Sequence, residues 1–147
     1  SSQAGMGPEK TVDGSGLNEN DGHSTDGKDM WQSKNGLPQW IEFEFDQVYA
    51  LHELWVWNSN SEFESFMSLG AKTVTIEYSA DGTTWTTLDG APEFAKAPGT
   101  PGYTATTVVS FSGVSAKYVK LTIEKGWGAM PAVGLSEVRF FYIPVRP

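Results

Sequence analysis

Short runs in which apolar and polar residues alternate occupy much of the chain, and no long stretch repeats apolar residues at the helical spacing. The run WIEFEF at 40–45 places Ile41, Phe43 and Phe45 on one face and two glutamates on the other. The run LHELWVWN at 51–58 is apolar on both faces, which is typical of a strand in the middle of a sheet. The pattern therefore predicts strands rather than helices.

The other alternating runs are separated by turn residues. Asp81 and Gly82 both tolerate positive φ, so they are suited to a hairpin turn. The remaining predicted strands are KTVTIEYS (72–79), TTWTTL (83–88), TATTVVSF (104–111), KYVKLTI (117–123) and LSEVRFFYI (135–143). Many short strands with turns between them predict an all-β fold, an antiparallel sandwich or jelly roll.

The length of 147 residues suits one domain. The last alternating run ends near residue 143, and two prolines follow it closely. We therefore expect one domain over 1–143 and the start of a linker over 144–147, within a longer chain. The absence of cysteine excludes disulfides, thiol catalysis and cysteine-ligated metals.

The charge balance argues against two classes of partner. Ten Lys and Arg against 18 Asp and Glu give a net charge of −8. Such a surface repels phosphate backbones and anionic lipid, so we expect neither nucleic-acid nor membrane binding.

The stretch 12–31 is rich in carboxylates and glycines and has neither strand nor helix periodicity. Its acidic residues are Asp13, Glu19, Asp21, Asp26 and Asp29. An EF-hand is excluded, because placing Gly22 at loop position 6 puts Leu17 first and Lys28 last. Another kind of calcium site stays open, since calcium accepts carbonyl oxygens from tight turns such as VDGSG. The alternative is a solvated loop in which Asp13 caps its own turn.

The two histidines give weak indications. His52 lies within a predicted strand, where a packed or edge histidine is expected. His23 lies in the acidic stretch and is suited to a hydrogen bond with a carboxylate. A zinc site is disfavoured because no second histidine lies nearby in the sequence.

The loop NSNSEFESF at 58–66 combines amides, acids and aromatic rings, a combination that matches the hydroxyl edges and C–H faces of sugars. Its candidate ligand-binding residues are Asn58, Asn60, Glu62 and Phe63. We expect at least one of Phe66 and Met67 to pack into the core. Trp127, between two glycines, is a second candidate, either as a plug over the core or as an exposed platform.

Catalysis has little support in the sequence. Neither a Gly-x-Ser-x-Gly nor a His-Glu-x-x-His motif is present. Glu62 and Glu64 are a possible carboxylate pair for glycoside hydrolysis, but adjacent loop acids are more often solvated. We expect a protein that is not an enzyme.

The order TVDGSG, PQWIEFEFDQVYALHELWVW, VTIEYSADGTTWTTL, AKYVKLTIEKGWG and GLSEVRFFY resembles the discoidin domain, also called the coagulation factor V/VIII type C domain. Its bacterial members include family 32 carbohydrate-binding modules. The resemblance covers nearly the whole chain and implies an eight-stranded jelly-roll β-sandwich.

The resemblance also implies a structural calcium ion. Family members often hold it between a DG turn near the start and a glutamate in the last strand, which match Asp13 and Glu137 here. Backbone carbonyls around Ser15, Gly16 and Ser136 would complete the ligand shell. The chain departs from the family in the length that follows, since 17 residues lie between Asp13 and Trp31.

For function, the resemblance implies a non-catalytic module that binds a neutral glycan, of galactose type, through loops at one end of the sandwich. The matching loops contain Asn58, Asn60, Phe63 and Trp127. The parent protein would be bacterial and secreted or attached to the cell surface, with this domain monomeric within a multidomain chain. The alternative is a protein-interaction or spacer module without sugar binding.

Overall fold

The computed structural model describes residues 1–145, which form seven β-strands and two short 3₁₀ helices. The strands are β1 (Trp31–Gln32), β2 (Gln39–Asn58), β3 (Ala71–Ser79), β4 (Thr86–Thr87), β5 (Thr107–Ser110), β6 (Ser115–Gly126) and β7 (Gly134–Tyr142). The 3₁₀ helices span Pro8–Thr11 and Gly27–Asp29. Among these residues no helix has the length and apolarity that a membrane crossing requires.

The long strand β2 belongs to two sheets. Its first half pairs with β6, and its second half pairs with β5 and β7, with a register shift between Glu44 and Tyr49. The first sheet has the order β1–β7–β2–β5 and the second has the order β2–β6–β3–β4, with antiparallel pairing throughout. The prediction of an all-β antiparallel sandwich is confirmed. Two of the predicted strands are continuous in β2, so the described residues contain seven strands.

The main core lies between the two sheets. Ile41 and Leu54 from β2, Ile76 from β3 and Val138 from β7 are almost fully buried, and Phe94 fills the core from the loop after β4. Each buried side chain of this size contributes about 1.5–3 kcal/mol. The inward face that alternation predicted for Ile41 and Phe43 is therefore the observed one.

A second, smaller apolar cluster lies on the outer side of the first sheet. Trp57, Ala97 and Tyr103 are buried there, with Leu17 of the opening loop packed against them. The Trp57 Nε1–H donates to the carbonyl of Asp21 at 2.9 Å. The predicted acidic loop is therefore packed over this sheet rather than solvated along its whole length.

The predicted linker lies only partly within the described residues. Pro144 and Val145 have no regular secondary structure. Residues 146 and 147 lie outside the part of the chain that the structure describes, so the predicted start of a linker at 144 stays a prediction.

The loops gather at one end of the sandwich. Asn58, Gly126, Ala71 and Gly134 all lie at this end, as the pairings Ala71–Gly126 and Asn58–Leu135 and the bridge Gly70–Gly134 require. We call it the loop end. The opposite end, which contains the bend of β2 and the C-terminus of β7, is called the turn end.

Candidate functional site

A groove of about 600 Å³ opens at the loop end, between the loop that follows β2 and the N-terminal segment. Half-exposed Phe63 lines the groove together with apolar Met67 and Leu69. The other lining residues are Met6, Thr25, Asp26, Gly27, Lys28, Gln32, Ser61 and Glu62. The groove thus combines an aromatic ring with hydroxyl, amide and charged groups.

The loop over 59–70 is held in shape by a buried carboxylate. Glu64 accepts hydrogen bonds from the Ser68 hydroxyl, from the Gly70 amide at 2.9 Å and from the Leu69 amide at 3.2 Å. Its side chain is fully buried. Glu64 is therefore a structural residue, and the carboxylate pair considered for glycoside hydrolysis does not form, although Glu62 is exposed beside the groove.

The same loop presents its apolar side chains to solvent. Phe66 is 73% exposed and Met67 is 42% exposed, so the expectation that at least one of them packs into the core is wrong. The rings of Phe63 and Phe66 meet edge to face, with centroids 5.8 Å apart. The buried Glu64 between them fixes the loop so that both rings face outward.

Two predicted ligand-binding residues are instead structural. Asn58 is fully buried, where its amide donates to the carbonyls of Ala71 and Ala95 and its oxygen accepts two backbone amides. Asn60 is also fully buried, and it joins the opening loop to the segment around Gly99 and Thr100. Because these amide groups already have protein partners and lack access to solvent, Asn58 and Asn60 are not sugar contacts.

Trp127 combines features of both interpretations left open for it. Its ring is 37% exposed, its Nε1–H donates to the carbonyl of Phe94 at 2.7 Å, and the ammonium of Lys72 lies 4.7 Å from its ring centroid. It is not among the residues that line the groove. The structure therefore does not bring Trp127 and Phe63 into one site.

The charged groups of the groove differ in their availability. The Asp26 carboxylate accepts the Lys28 backbone amide at 2.9 Å and so caps the short helix Gly27–Asp29. Lys28 and Glu62 are exposed, and neither forms a salt bridge within residues 1–145. These two side chains are therefore free to contact a ligand.

Several lining residues were missed because they lie far from the candidate loop in the sequence. Met6, Thr25, Lys28 and Gln32 reach the groove because β1 pairs with β7 and places the N-terminal segment beside the loop after β2. No local pattern in the sequence indicates this pairing, since β1 has only two residues.

The predicted calcium residues meet on the outer side of the first sheet. Trp57 pairs with Glu137 and Asn58 pairs with Leu135, so Ser136 is the extra residue of a β-bulge. The bulge lets Leu135 and Val138 both face the core and leaves Glu137 under the turn that contains Asp13 and Gly14.

Two oxygen atoms at this position lack hydrogen-bond partners. The Glu137 Oε1 and Ser136 Oγ atoms are buried and unbonded within the described residues. Unpaired buried oxygens are costly, and a bound cation would satisfy them. No group of three or more His, Cys, Asp or Glu side chains suited to a metal occurs within 1–145, so backbone and hydroxyl oxygens would have to complete the shell.

The protonation of the two carboxyl groups differs. Burial, with a smaller contribution from nearby Asp13, raises the pKa of the Glu137 carboxyl to about 8, although the Gly14 amide and Arg139 act in the opposite direction. Slight burial of Asp13 is outweighed by hydrogen bonds from Ser15, so the pKa of the Asp13 carboxyl is lowered. The Asp13 carboxylate caps its own turn through the Ser15 amide at 2.8 Å, as one alternative predicted.

His23 does not bond a carboxylate as expected. It is fully buried, and its Nδ1 lies 2.9 Å from the carbonyl of Ser24. The Ser24 hydroxyl donates to Asp29 at 2.7 Å, and the Ser24 amide donates to the carbonyl of Gly16. These contacts order the opening loop, and the Gly16 carbonyl that was predicted as a calcium ligand accepts one of them.

Comparison with known proteins identifies the family. The model of the F5/8 type C domain matches residues 1–137. The chain belongs to the F5/8 type C domain family. The resemblance found in the sequence is thereby confirmed, and so is the expectation of a binding domain rather than an enzyme. No curated protein shows significant sequence similarity to the chain.

Solved structures share the fold of this F5/8 type C domain. CBM32-3 from a family 31 glycoside hydrolase of Clostridium perfringens is 20% identical, with TM-score 0.68 over 97% of this chain and 86% of that one. GH31 CBM32-2 bound to GalNAc has the same identity and TM-score over 97% and 91%. A Clostridium perfringens CpGH89 variant in complex with GlcNAc-alpha-1,4-galactose is 15% identical, with TM-score 0.65 over 96% of this chain and only 13% of that one.

Proposed function

We propose that this F5/8 type C domain is a carbohydrate-binding module that holds a neutral glycan in the groove at the loop end. The observation that supports the proposal most directly is the exposed ring of Phe63 beside free Lys28 and Glu62. Such a ring packs against the C–H face of a sugar, while the charged and hydroxyl groups bond its hydroxyls.

The structural neighbours support this proposal. A CBM32 domain of the same fold is bound to GalNAc, and another, CBM32-3, comes from a family 31 glycoside hydrolase. We infer that this domain attaches a larger, secreted or surface-attached bacterial protein to glycans as a monomeric unit. The groove is open to solvent and would leave part of a sugar exposed, so the expected affinity is about 0.1–1 mM, or about 4–5.5 kcal/mol.

A glycan array with three variants tests the groove. Phe63→Ala removes the ring from the groove, whereas Trp40→Ala removes an equally exposed ring from the second sheet and serves as the matched control. We expect wild type and Trp40→Ala to bind the same glycan class and Phe63→Ala to lose it. Loss in Trp127→Ala instead would move the site to Trp127, and equal binding by all variants would refute the groove.

We also propose that the domain holds one structural calcium ion. Asp13 and Glu137 supply the carboxylates, and the unpaired oxygens of Glu137 and Ser136 fit a hard cation. Backbone carbonyls of the turn around Ser15 and Gly16 would complete the shell; the Gly14 and Gly16 carbonyls each accept one amide, from Leu17 and Ser24, and each keeps a second lone pair. The ion would join the opening loop to the last strand.

A further inference from the structure

A second cavity lies at the turn end, where β2 bends and β7 ends. It has a volume of about 340 Å³, which suits a small chemical group rather than a long chain. Five of its seven lining residues are aromatic. The lining residues are Phe45, Asp46, Tyr49, Leu51, Phe140, Phe141 and Tyr142.

The rings around this cavity are inclined to one another rather than stacked. Phe45 and Tyr49 are 6.0 Å apart with an interplanar angle of 82°, and Tyr49 and Tyr142 are 4.7 Å apart at 47°. The Ile143 amide donates to the carbonyl of Ala50 at 2.7 Å, which holds the end of β7 against the bend of β2. Tyr142 is 54% exposed and forms the rim. This arrangement is a partial box of rings.

The charge at the cavity is negative and uncompensated. Asp46 is the sole charged residue in the lining, and it forms no salt bridge within residues 1–145. Its Oδ1 accepts the Tyr49 hydroxyl at 2.6 Å, which leaves the other carboxylate oxygen available. Aromatic faces carry a negative potential, and the whole chain has a net charge of −8.

These features select one class of ligand. A sugar would need several hydrogen-bond donors, and the lining has only tyrosine hydroxyls beside one carboxylate. A cation within about 6 Å of several ring centroids is attracted by each ring, most strongly when it is poorly hydrated, as a methylated ammonium is. We propose that the turn-end cavity binds a methylated ammonium group, with Tyr49 and Tyr142 against its methyl groups and Asp46 beside its charge.

The cavity is independent of the glycan groove. Residues 51 to 58 of β2 separate the two ends, a distance of about 23 Å at the usual rise per residue. No residue lines both sites. Variants at one site therefore leave the other intact, so the cation proposal and the glycan proposal fail separately.

Titration of the domain with tetramethylammonium tests the proposal. Binding is followed by the amide shifts of Tyr142 and Ala50 in NMR spectra. We expect saturable binding of tetramethylammonium and choline, and at least tenfold weaker binding of 3,3-dimethylbutan-1-ol, the neutral isostere of choline. Equal binding of choline and the neutral isostere would refute the cation site and indicate a merely apolar cavity.

Variants locate the binding and control for folding. Tyr142→Leu should weaken tetramethylammonium binding about tenfold, Asp46→Asn several-fold, and Tyr142→Phe little, because the ring is retained. Phe63→Ala, at the glycan groove, should bind the cation as wild type does. Unchanged binding in Tyr142→Leu would overturn the proposal. Trimethyl-lysine peptide, phosphocholine and phosphatidylcholine vesicles then distinguish a modified protein, a free headgroup and a lipid surface as the source.

Discussion

Replacing Glu137 with glutamine separates the effect of calcium from the effect of a buried carboxyl group. In the metal-free protein the pKa of Glu137 is raised to about 8 from an ordinary value of 4.5. The folded state therefore binds a proton between these pH values that the unfolded chain has released. The free energy of unfolding falls as pH rises through this window, by at most about 5 kcal/mol at 1.36 kcal/mol per pKa unit.

Calcium should offset part of this loss, because the ion takes the place of the proton. At a calcium concentration 100 times Kd, the stabilisation is about 2.7 kcal/mol. An unfolding entropy of about 2.1 cal/mol/K per residue gives roughly 0.3 kcal/mol/K for this domain, so Tm should rise by about 9 °C. Glu137→Gln retains the shape of the protonated side chain and lacks the charge, so it should gain nothing from calcium.

Calorimetric melts at pH 5 and pH 8, each with EDTA and with calcium, measure these effects. In EDTA the Tm of the wild type should fall between pH 5 and pH 8 by more than the Tm of the variant does, and calcium should raise the Tm of the wild type at pH 8. Glu62→Gln, which removes an exposed acid, should respond to calcium as wild type does. A calcium-dependent rise in Tm that persists in Glu137→Gln would refute the assignment of Glu137 as a ligand.

Three further measurements test individual contacts. Asn58→Ala leaves buried backbone groups unpaired and should lower the free energy of unfolding by about 2–4 kcal/mol, measured by urea denaturation; a change below 0.5 kcal/mol would contradict the structural role. The hydrogen bonds from Arg139 lower the pKa of Asp21. Their contribution to the free energy of unfolding is therefore present at neutral pH and is lost as pH falls below the ordinary Asp range. Arg139→Gln should reduce this acid dependence in melts between pH 2 and 5, and an unchanged profile would argue against it. Trp127→Phe should cost about 1 kcal/mol through loss of the bond to Phe94 and leave glycan binding unchanged, as titration calorimetry would check.

The sequence was sufficient to predict most of the strands and to identify the family. Alternation placed Ile41 and Phe43 inward, and the run at 51–58 is central because β2 has neighbours on both sides there. The sequence did not reveal that the runs at 40–45 and 51–58 form one continuous strand. Between them the chain passes from one sheet to the other through a register shift, which polar residues accommodate.

The candidate site was only partly predictable. Phe63 and Glu62 lie in the groove, but Asn58 and Asn60 do not, because an amide after a strand can equally bind a ligand or the carbonyls of neighbouring loops. Composition does not distinguish these cases. Thr25 and Lys28 were not predicted as groove residues, because their position depends on pairing between segments about 100 residues apart.

The passage of β2 through both sheets has a consequence for how the domain unfolds. Each sheet contains half of β2, so one sheet cannot unfold completely while the other stays intact. We therefore expect a single cooperative transition, with central β2 amides exchanging hydrogen only when the whole domain opens. A destabilising substitution near Asp13 or at the turn-end cavity would then be detected as a change in one common exchange rate along β2.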